Sequence, residues 1–217
     1  MNTIMGILGA CGGLLCACGD LLLDLKGKDN EQVGKYQLIN TSWEHMNLKR
    51  FHLSILLAAF GAPLAFLGFA AMSHQLAPYS STLANAFWFT GLFGCAGGTF
   101  IHIIICILPV IFKIMKPYHT VEEIDRVING VYDAVKVPFW ILYFVLIGVS
   151  SGILVYALYM DYLQLSMWYC FLTPFCLTIF GLVLRALFPK VCYDLPGIIL
   201  PSTGLALIGI LAILNTL

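Results

Sequence analysis

The segment Thr3–Leu25, TIMGILGACGGLLCACGDLLLDL, is apolar throughout except for two aspartates near its end. A bilayer core about 30 Å thick needs roughly 20 apolar residues of helix, so the segment predicts a membrane span. Membrane helices pack through small residues, and this helix carries a stripe of them along one face. Both aspartates continue the stripe and should therefore point into protein. The stripe consists of Gly6, Gly9, Gly13, Ala17, Asp20 and Asp24.

The composition of the whole chain agrees with a membrane protein. Apolar residues make up 60% and charged residues 10% of its 217 positions, and the mean hydropathy is +0.93. Soluble domains have about 25% charged residues, and a soluble fold could not cover this chain with polar surface. The net charge of zero and the lack of a basic stripe exclude nucleic acid as a partner. The expected partner is the lipid bilayer.

Six apolar runs are long enough to span a bilayer. The sequence therefore predicts an all-α, polytopic six-transmembrane-helix bundle that forms one domain over residues 1–217. The third run is long and is expected to tilt or to kink near Pro109. The predicted spans are Thr3–Leu25, Phe51–Ser73, Leu83–Ile114, Val137–Met160, Ser166–Phe188 and Leu195–Leu217.

The connecting segments alternate in basic content, which predicts the orientation. The first, third and fifth connections carry lysine and arginine, whereas the second and fourth carry none. Because positive charge favours the cytoplasm, both termini are expected outside it. The sequon Asn40-Thr41-Ser42 would then face the cytoplasm and stay unmodified.

Two connections contain a helix-capping pattern. Thr41-Ser42-Trp43-Glu44 predicts a helix that continues into the second span, and Thr120-Val121-Glu122-Glu123 predicts another before the fourth. After the second pattern, apolar residues recur every three or four positions, with charges opposite, as in an amphipathic helix on the membrane surface. Pro138 is expected to turn this helix into the fourth span. Asp133 and Lys136 are expected to pair locally.

The cysteines and histidines predict neither a metal site nor a cofactor. Eight cysteines occur without a CxxC pair, and they fall in or beside apolar runs, as packing residues do. A single deep histidine is a poor metal site, since zinc takes three or four ligands. Haem would need a second axial ligand, and none is evident at the depth of His102.

Six ionisable residues are candidates for a ligand- or ion-binding site. His102 lies on the small-residue face of the third span, and Arg185 closes a similar stripe in the fifth. With a rise of about 1.5 Å per residue, Asp20, His102 and Arg185 all lie roughly 26–28 Å from the outer ends of their spans. Charges at this depth are expensive and need a partner or a wet cavity. The candidates are Asp20, Asp24, His102, Arg185, Arg50 and His52.

Several short motifs resemble one family. They are Gly19-Asp20, Ser54 followed by Gly61, Pro63 and Gly68, then His102, Leu195-Pro196 and Pro201-Ser202. Together they resemble an uncharacterised bacterial family of six-helix integral membrane proteins, a domain of unknown function. The resemblance implies a bacterial inner-membrane location and carries no catalytic residue onto the chain. Signatures of rhomboid-like proteases, HExxH metalloenzymes and P-loop proteins are missing.

Three functions remain open. In a carrier, Asp20 would bind a proton or cation, His102 would relay it and Arg185 would act as counter-charge. In an enzyme acting on a lipid or isoprenoid head group, Asp20 or Asp24 would be the base, and Arg50 or Arg185 would bind phosphate. In a structural protein these groups would only fix helix register. Glycine pairs such as Gly94/Gly98 suit contacts within or between chains, so a homo-oligomer stays open.

Two interpretations are open for four of the aromatic side chains. In the enzyme they could line an acyl path, but interfacial or lipid-facing anchors are expected instead. The residues concerned are Trp43, Phe51, Trp140 and Tyr143.

Overall fold

A computed structural model describes residues 1–27, 29–189, 192 and 196–216 of the chain. The prediction of a helical protein is confirmed, since 80% of the chain is helix, with one two-stranded antiparallel ladder added. Among the described residues the elements are α1 (Asn2–Asp24), β1 (Gln32–Val33), β2 (Ile39–Asn40), α2 (Leu48–Leu76), α3 (Ser81–Met115), α4 (Val121–Phe144), α5 (Ser150–Tyr159), α6 (Pro174–Leu187) and α7 (Pro196–Leu214).

Four helices are long and apolar enough to cross a membrane: α1, α2, α3 and the continuous helix Val121–Tyr159. The predicted fifth span differs, because it starts as the 3-10 helix Met167–Leu172 and becomes α-helical only at Pro174. α6 is 14 residues long, or about 21 Å. The sixth prediction corresponds to α7, but its bounds Leu195 and Leu217 lie outside the described residues, as does Lys190 of the fifth connection.

α1 lies between α2 and α7 and contacts both backbone to backbone. A β-carbon at Gly9 would lie 2.4 Å from the Gly68 nitrogen of α2, and one at Gly13 would lie 2.2 Å from the Ala206 nitrogen of α7. The predicted small-residue stripe of α1 is therefore a packing face. A second row on α2's side, with Gly12 and Cys16, extends it. Only glycine lets the helices approach this closely.

Both chain termini lie at one end of the bundle. The Gln75 side chain at the end of α2 donates to the Ala212 carbonyl of α7 (2.7 Å) and accepts from the Asn215 amide (2.6 Å). Asn215 in turn accepts from the Gln164 backbone N–H (2.6 Å). Asn2, at the start of α1, lies 3.4 Å from the His74 ring. These contacts bring the two described ends of the chain together at one end of the bundle.

The opposite end is covered by the segment between α1 and α2. β1 and β2 pair antiparallel, and the hairpin contacts α4, where the Lys35 N–H donates to Asp125 (3.1 Å). Gly34 makes this contact possible, because its φ is +92° and a β-carbon would lie 2.0 Å from the Asp125 Oδ1. The predicted helix from Thr41 into the second span is wrong: Thr41–Glu44 forms only a 3-10 turn, and α2 starts after Asn47.

Asn47, rather than Thr41, begins the helix because its side chain accepts the Lys49 N–H (2.9 Å). The second capping pattern is confirmed: Thr120 accepts the Glu123 N–H, and Glu123 accepts the Thr120 N–H (2.9 Å). The backbone N–H of Thr120 stabilises the charged carboxylate and lowers the pKa of Glu123. The expected Asp133–Lys136 pair forms at 2.7 Å.

The apolar stripe of α4 is buried by protein, not by lipid as predicted. Ile124 and Ile128 are fully buried in a cluster with Trp43, Phe51 and Phe112. At Pro138, where a turn into the fourth span was expected, the helix continues. The departure from α-geometry comes later, at the π-helical turn Val145–Val149. The end of the bundle that the hairpin covers is called the charged end below. The helix passes from this end into the bundle as one long element.

Candidate functional site

Asp20 and His102 meet inside the bundle. The Asp20 Oδ1 lies 3.2 Å from the His102 Nδ1, and both side chains are largely shielded, with 16% and 10% of their surface exposed. Asp20 is one turn from the end of α1, and His102 lies on the buried face of α3, which carries Gly94 and Cys106. Glycine packing of α1 against α2 brings the carboxylate to this depth.

The other nitrogen of the imidazole is held by Ser54 of α2. The Ser54 Oγ lies 2.7 Å from the His102 Nε2 and donates its hydrogen to the Gly19 carbonyl (2.7 Å). The Cys106 thiol donates to the Ser54 Oγ (3.4 Å). A hydroxyl has one hydrogen, so Ser54 must accept from His102, and Nε2 carries a proton. The proton that can move is therefore the one between Nδ1 and the Asp20 carboxylate.

This order of residues resembles the Ser-His-Asp arrangement of hydrolases, but its protons run the other way. A serine nucleophile must give its hydrogen to the imidazole, which acts as base. Here the Ser54 hydroxyl hydrogen is used by a backbone carbonyl, and the side chain is completely buried. The geometry instead suits a carboxylate–imidazole pair that exchanges one proton.

The pair forms part of the wall of a cavity of about 240 Å³. Water occupies about 30 Å³ in the liquid, so the volume exceeds that of a single molecule. Most of the wall is apolar, and its polar groups are the Asp20–His102 pair, Asp24, Tyr143 and Ser202. The wall combines α1, α2, α3, α4, the π-helical turn and α7.

A second cavity of about 250 Å³ lies beside the first, toward the charged end of the bundle. The two share the lining residues Leu23, Asp24, Ile105 and Phe139. The second is also lined by Lys26 and by the hairpin residues Gln37, Leu38 and Asn40. A path of lining residues therefore leads from beneath the hairpin to Asp20.

The remaining predicted site residues lie in three places: at the cavities, at the end of α1 and on the surface. Asp24 lines both cavities and forms an ion pair with Lys26 (3.0 Å). Arg50 lies at the end of α1, where its guanidinium donates to the carbonyls of Leu21 (3.1 Å) and Leu25 (2.5 Å) and also to that of Leu22. Arg50 thus caps α1.

His52 and Arg185 do not share the cavity. Both side chains are exposed, and neither is among the described residues that line it. On the same helix, α6, Pro174 and Gly181 are buried. Arg185 follows in the last turn, where it points away from the bundle. The proposed meeting of Asp20, His102 and Arg185 is therefore reduced to the first two.

Sequence reasoning left three contributors out of the candidate site residues, and it misplaced three of four aromatic side chains. Ser54, Ser202 and Tyr143 are ordinary residues in apolar runs, and only a buried polar partner would have identified them. Trp43 and Phe51 are buried and Tyr143 lines the cavity, against the expectation of lipid-facing anchors. Trp140 is exposed, as that expectation requires.

The long apolar helices define a helical membrane protein. The chain belongs to a family of unknown function, DUF6796, whose match covers residues 1–217. This confirms the resemblance to an uncharacterised domain of unknown function. No curated protein and no solved structure matches the chain.

Proposed function

We propose that this protein binds a small solute or ion in its central cavity and moves it across the membrane, using the proton between Asp20 and His102. The observation that carries the proposal is the position of this pair, joined at 3.2 Å on a cavity wall. An ionisable pair at membrane depth is costly, and proton relays are a common reason for keeping one. The second cavity supplies an approach from the charged end.

Asp20 has the role of exchanging the proton, and His102 holds it in place. The imidazole is fixed through Nε2 by Ser54, so its Nδ1 stays directed at the carboxylate. The π-helical turn supplies Leu146 and Ile147 to the same wall. Such turns are frequent at functional sites because they displace side chains from regular helix positions.

The enzyme alternative lacks an observation in its favour. It requires a cationic side chain beside the carboxylate to hold a phosphate. Arg50 binds backbone carbonyls at the end of α1, and Arg185 is exposed on α6. No lysine or arginine is among the described residues that line the central cavity.

The proposal includes six membrane crossings, with α6 and α7 as the last two and both termini outside the cytoplasm of a bacterial inner membrane. The basic connections support this orientation. The contacts of Asn215 with Gln75 and of Asn2 with His74, both at the end of α2, support a common side for the two termini. A reporter that is active only outside the cytoplasm, fused after Leu217, should be active. The same reporter inserted after Tyr118 should be inactive, and the reverse pattern would contradict the orientation.

Access of a water-soluble reagent to the cavity tests the site itself. Ala58 lines the cavity and Ala70 does not, although both are buried on α2. In membrane vesicles, a small methanethiosulfonate should modify Ala58→Cys from the cytoplasmic face and leave Ala70→Cys unmodified. Site-resolved mass spectrometry separates these thiols from the native ones. Equal modification of the two variants, or of neither, would contradict a hydrated site.

A further inference from the structure

We propose that the ligand of the central cavity is an organic monocation with a compact apolar body, and that its binding releases the proton held between Asp20 and His102. This inference rests on the proposed function and names the class of ligand. It follows from three features of the cavity wall: its fixed charges, its rings and its size.

The charge of the wall favours a cation. Asp20 and Asp24 both line the cavity, whereas lysine and arginine are lacking among its described lining residues. Asp24 is already paired with Lys26, which lines the outer cavity and is not among the described lining residues of the central one. Asp20 is compensated by the proton on His102 alone. A ligand cation can replace this proton, whereas an anion would meet two carboxylates.

The rings and the volume favour an amine or a quaternary ammonium with an apolar body. Phe139 and Tyr143 contribute aromatic surface beside the carboxylates, and cations bind to aromatic faces. The rest of the wall consists largely of alanine, leucine and isoleucine, which bind an apolar body but not a hydrated metal ion. A volume of about 240 Å³ lies below the usual range for drug-sized ligands. The ligand is therefore small.

The exchange is one for one. With the proton present, imidazolium and carboxylate cancel, and an added cation would leave a net charge inside the membrane. When the proton leaves His102, neutral imidazole and Asp20 carboxylate remain, and the ligand cation restores the balance. The protein with its proton plus one ligand cation becomes the complex plus one free proton, so charge is conserved.

No other described group around the pair offers this proton as readily. On α1 the neighbours are Asp24, held by Lys26, and the Cys16 thiol. On α3 they are the thiols of Cys95 and Cys106, the latter bonded to Ser54 of α2. α4 contributes the Tyr143 hydroxyl, and α7 contributes the Ser202 hydroxyl. The ligand is therefore expected to displace the proton on His102.

Calorimetry with benzyltrimethylammonium as the probe tests the exchange. The purified protein is titrated in two buffers of different protonation enthalpy, and the difference in heat gives the protons released. We expect close to one proton per probe bound, and a Kd that rises about tenfold for each pH unit of acidification. Binding without proton release would overturn the exchange.

Matched variants locate the effect. Asp20→Asn should weaken binding more than tenfold and abolish proton release, whereas Asp24→Asn should bind within a few-fold of the native chain. Phe139→Leu leaves the ion pair intact and should weaken binding several-fold, which keeps the test decisive if Asp20→Asn fails to fold. Equal effects of Asp20→Asn and Asp24→Asn would place the cation elsewhere.

The two proposals fail differently. If the probe does not bind while Ala58→Cys is modified from the cytoplasmic face, the cavity is hydrated but does not take organic cations. If neither the probe binds nor Ala58→Cys reacts, the proposed function is overturned as well.

Discussion

The central cavity has two unlike walls, formed by α1 and by α4. α1 carries Asp20 and lies against α2 and α7 at glycines, backbone to backbone. α4 meets its neighbours through side chains, and its continuation departs from α-geometry at Val145–Val149. The first wall holds a carboxylate in a fixed place, whereas the second can change shape at lower cost. A site that binds and releases a ligand needs both properties.

The hydrogen bonds of the two walls agree with this difference. The π-helical turn leaves irregular backbone, and the hydroxyls of Ser150 and Ser151 bond to the carbonyls of Leu146 and Ile147 within it. Ser151 also accepts the Phe175 N–H at the start of α6 (3.0 Å). On α1 the helix is regular from Asn2 to Asp24. The adjustable wall is therefore the one built from α4 and the turn, which α5 continues.

The largest effect is expected from replacing a glycine by alanine in α1, compared with the same replacement in α5. Gly12→Ala would place a β-carbon 2.2 Å from the Ala65 nitrogen, so α1 and α2 must separate. We expect a loss of about 3 kcal/mol of stability. Gly152→Ala in α5 meets no described atom within 4 Å and should be neutral or gain up to about 1 kcal/mol from helix propensity.

Unfolding of the purified variants in mixed micelles measures both changes. Equal stability of Gly12→Ala and Gly152→Ala would show that α1 is no more tightly held than α5, and the comparison of the two walls would fail.

The next effect concerns the polar network behind the fixed wall. Ser54→Ala removes the acceptor of the His102 Nε2–H and leaves a buried donor unsatisfied. An unsatisfied buried group costs about 1–3 kcal/mol, so we expect a loss of about 2 kcal/mol. Ser73→Ala is the matched control, because Ser73 is also buried and donates to one helical carbonyl, that of Ala84 (2.7 Å).

The control should lose only about 1 kcal/mol, because a helical carbonyl keeps its backbone donor. Unfolding measurements on both variants and on their combinations with His102→Asn isolate the coupling. If Ser54→Ala cost no more than Ser73→Ala, the imidazole would not depend on Ser54 for its second proton.

The fixed wall was predictable from sequence to a greater extent than the adjustable one. Gly6, Gly9 and Gly13 recur at helical spacing, and that spacing alone indicated that Asp20 points into protein. The helical periodicity of this segment is kept in the fold because α1 is a regular helix from Asn2 to Asp24. The same reasoning placed His102 on the buried face of α3. Two independent stripes therefore predicted the two groups that meet.

The errors arose where tertiary contacts override local signals. Arg185 continues a stripe of small residues, yet a long side chain in a last turn can reach out of the bundle. Arg50 resembled a site residue because sequence does not reveal that the carbonyls at the end of α1 lie beside it. The π-helical turn has no sequence signature, and a pair such as Ser54 and His102 becomes visible only when α2 and α3 are packed together.

A further prediction concerns how the first half of α4 is held. Gly34→Ala forces a residue with a side chain to φ +92° and against Asp125, so the hairpin should lose its contact with α4. The expected cost is about 2 kcal/mol, since the strain alone costs about 1–2 kcal/mol. Gly27→Ala is the control, because its φ of +93° is similar while its β-carbon would meet no described atom within 4 Å.

Hydrogen exchange should then rise in residues 29–47 and in the first turns of α4 for Gly34→Ala, and remain native in α4 for Gly27→Ala. Faster exchange in α1 as well would mean that the two walls are coupled, and it would contradict their separation.

The smallest effect is expected at the first turn of α4, which precedes its apolar part. The Thr120 backbone N–H lowers the pKa of Glu123, so the charged form is favoured in the folded helix. A lowered folded pKa gives a contribution that is complete above the ordinary range of glutamate. The contribution is lost as the pH falls through the folded pKa.

Because Glu123 is exposed, the loss should be confined to fraying of that turn. Amide exchange near Val121 should become faster relative to the middle of α4 below pH 4.5, the ordinary glutamate value, and this dependence should vanish in Glu123→Gln. Thr120→Ala should fray the same turn at every pH, since it removes the reciprocal bond to the Glu123 N–H (3.3 Å). A pH dependence that persists in Glu123→Gln would show that the effect does not come from the Glu123 carboxylate.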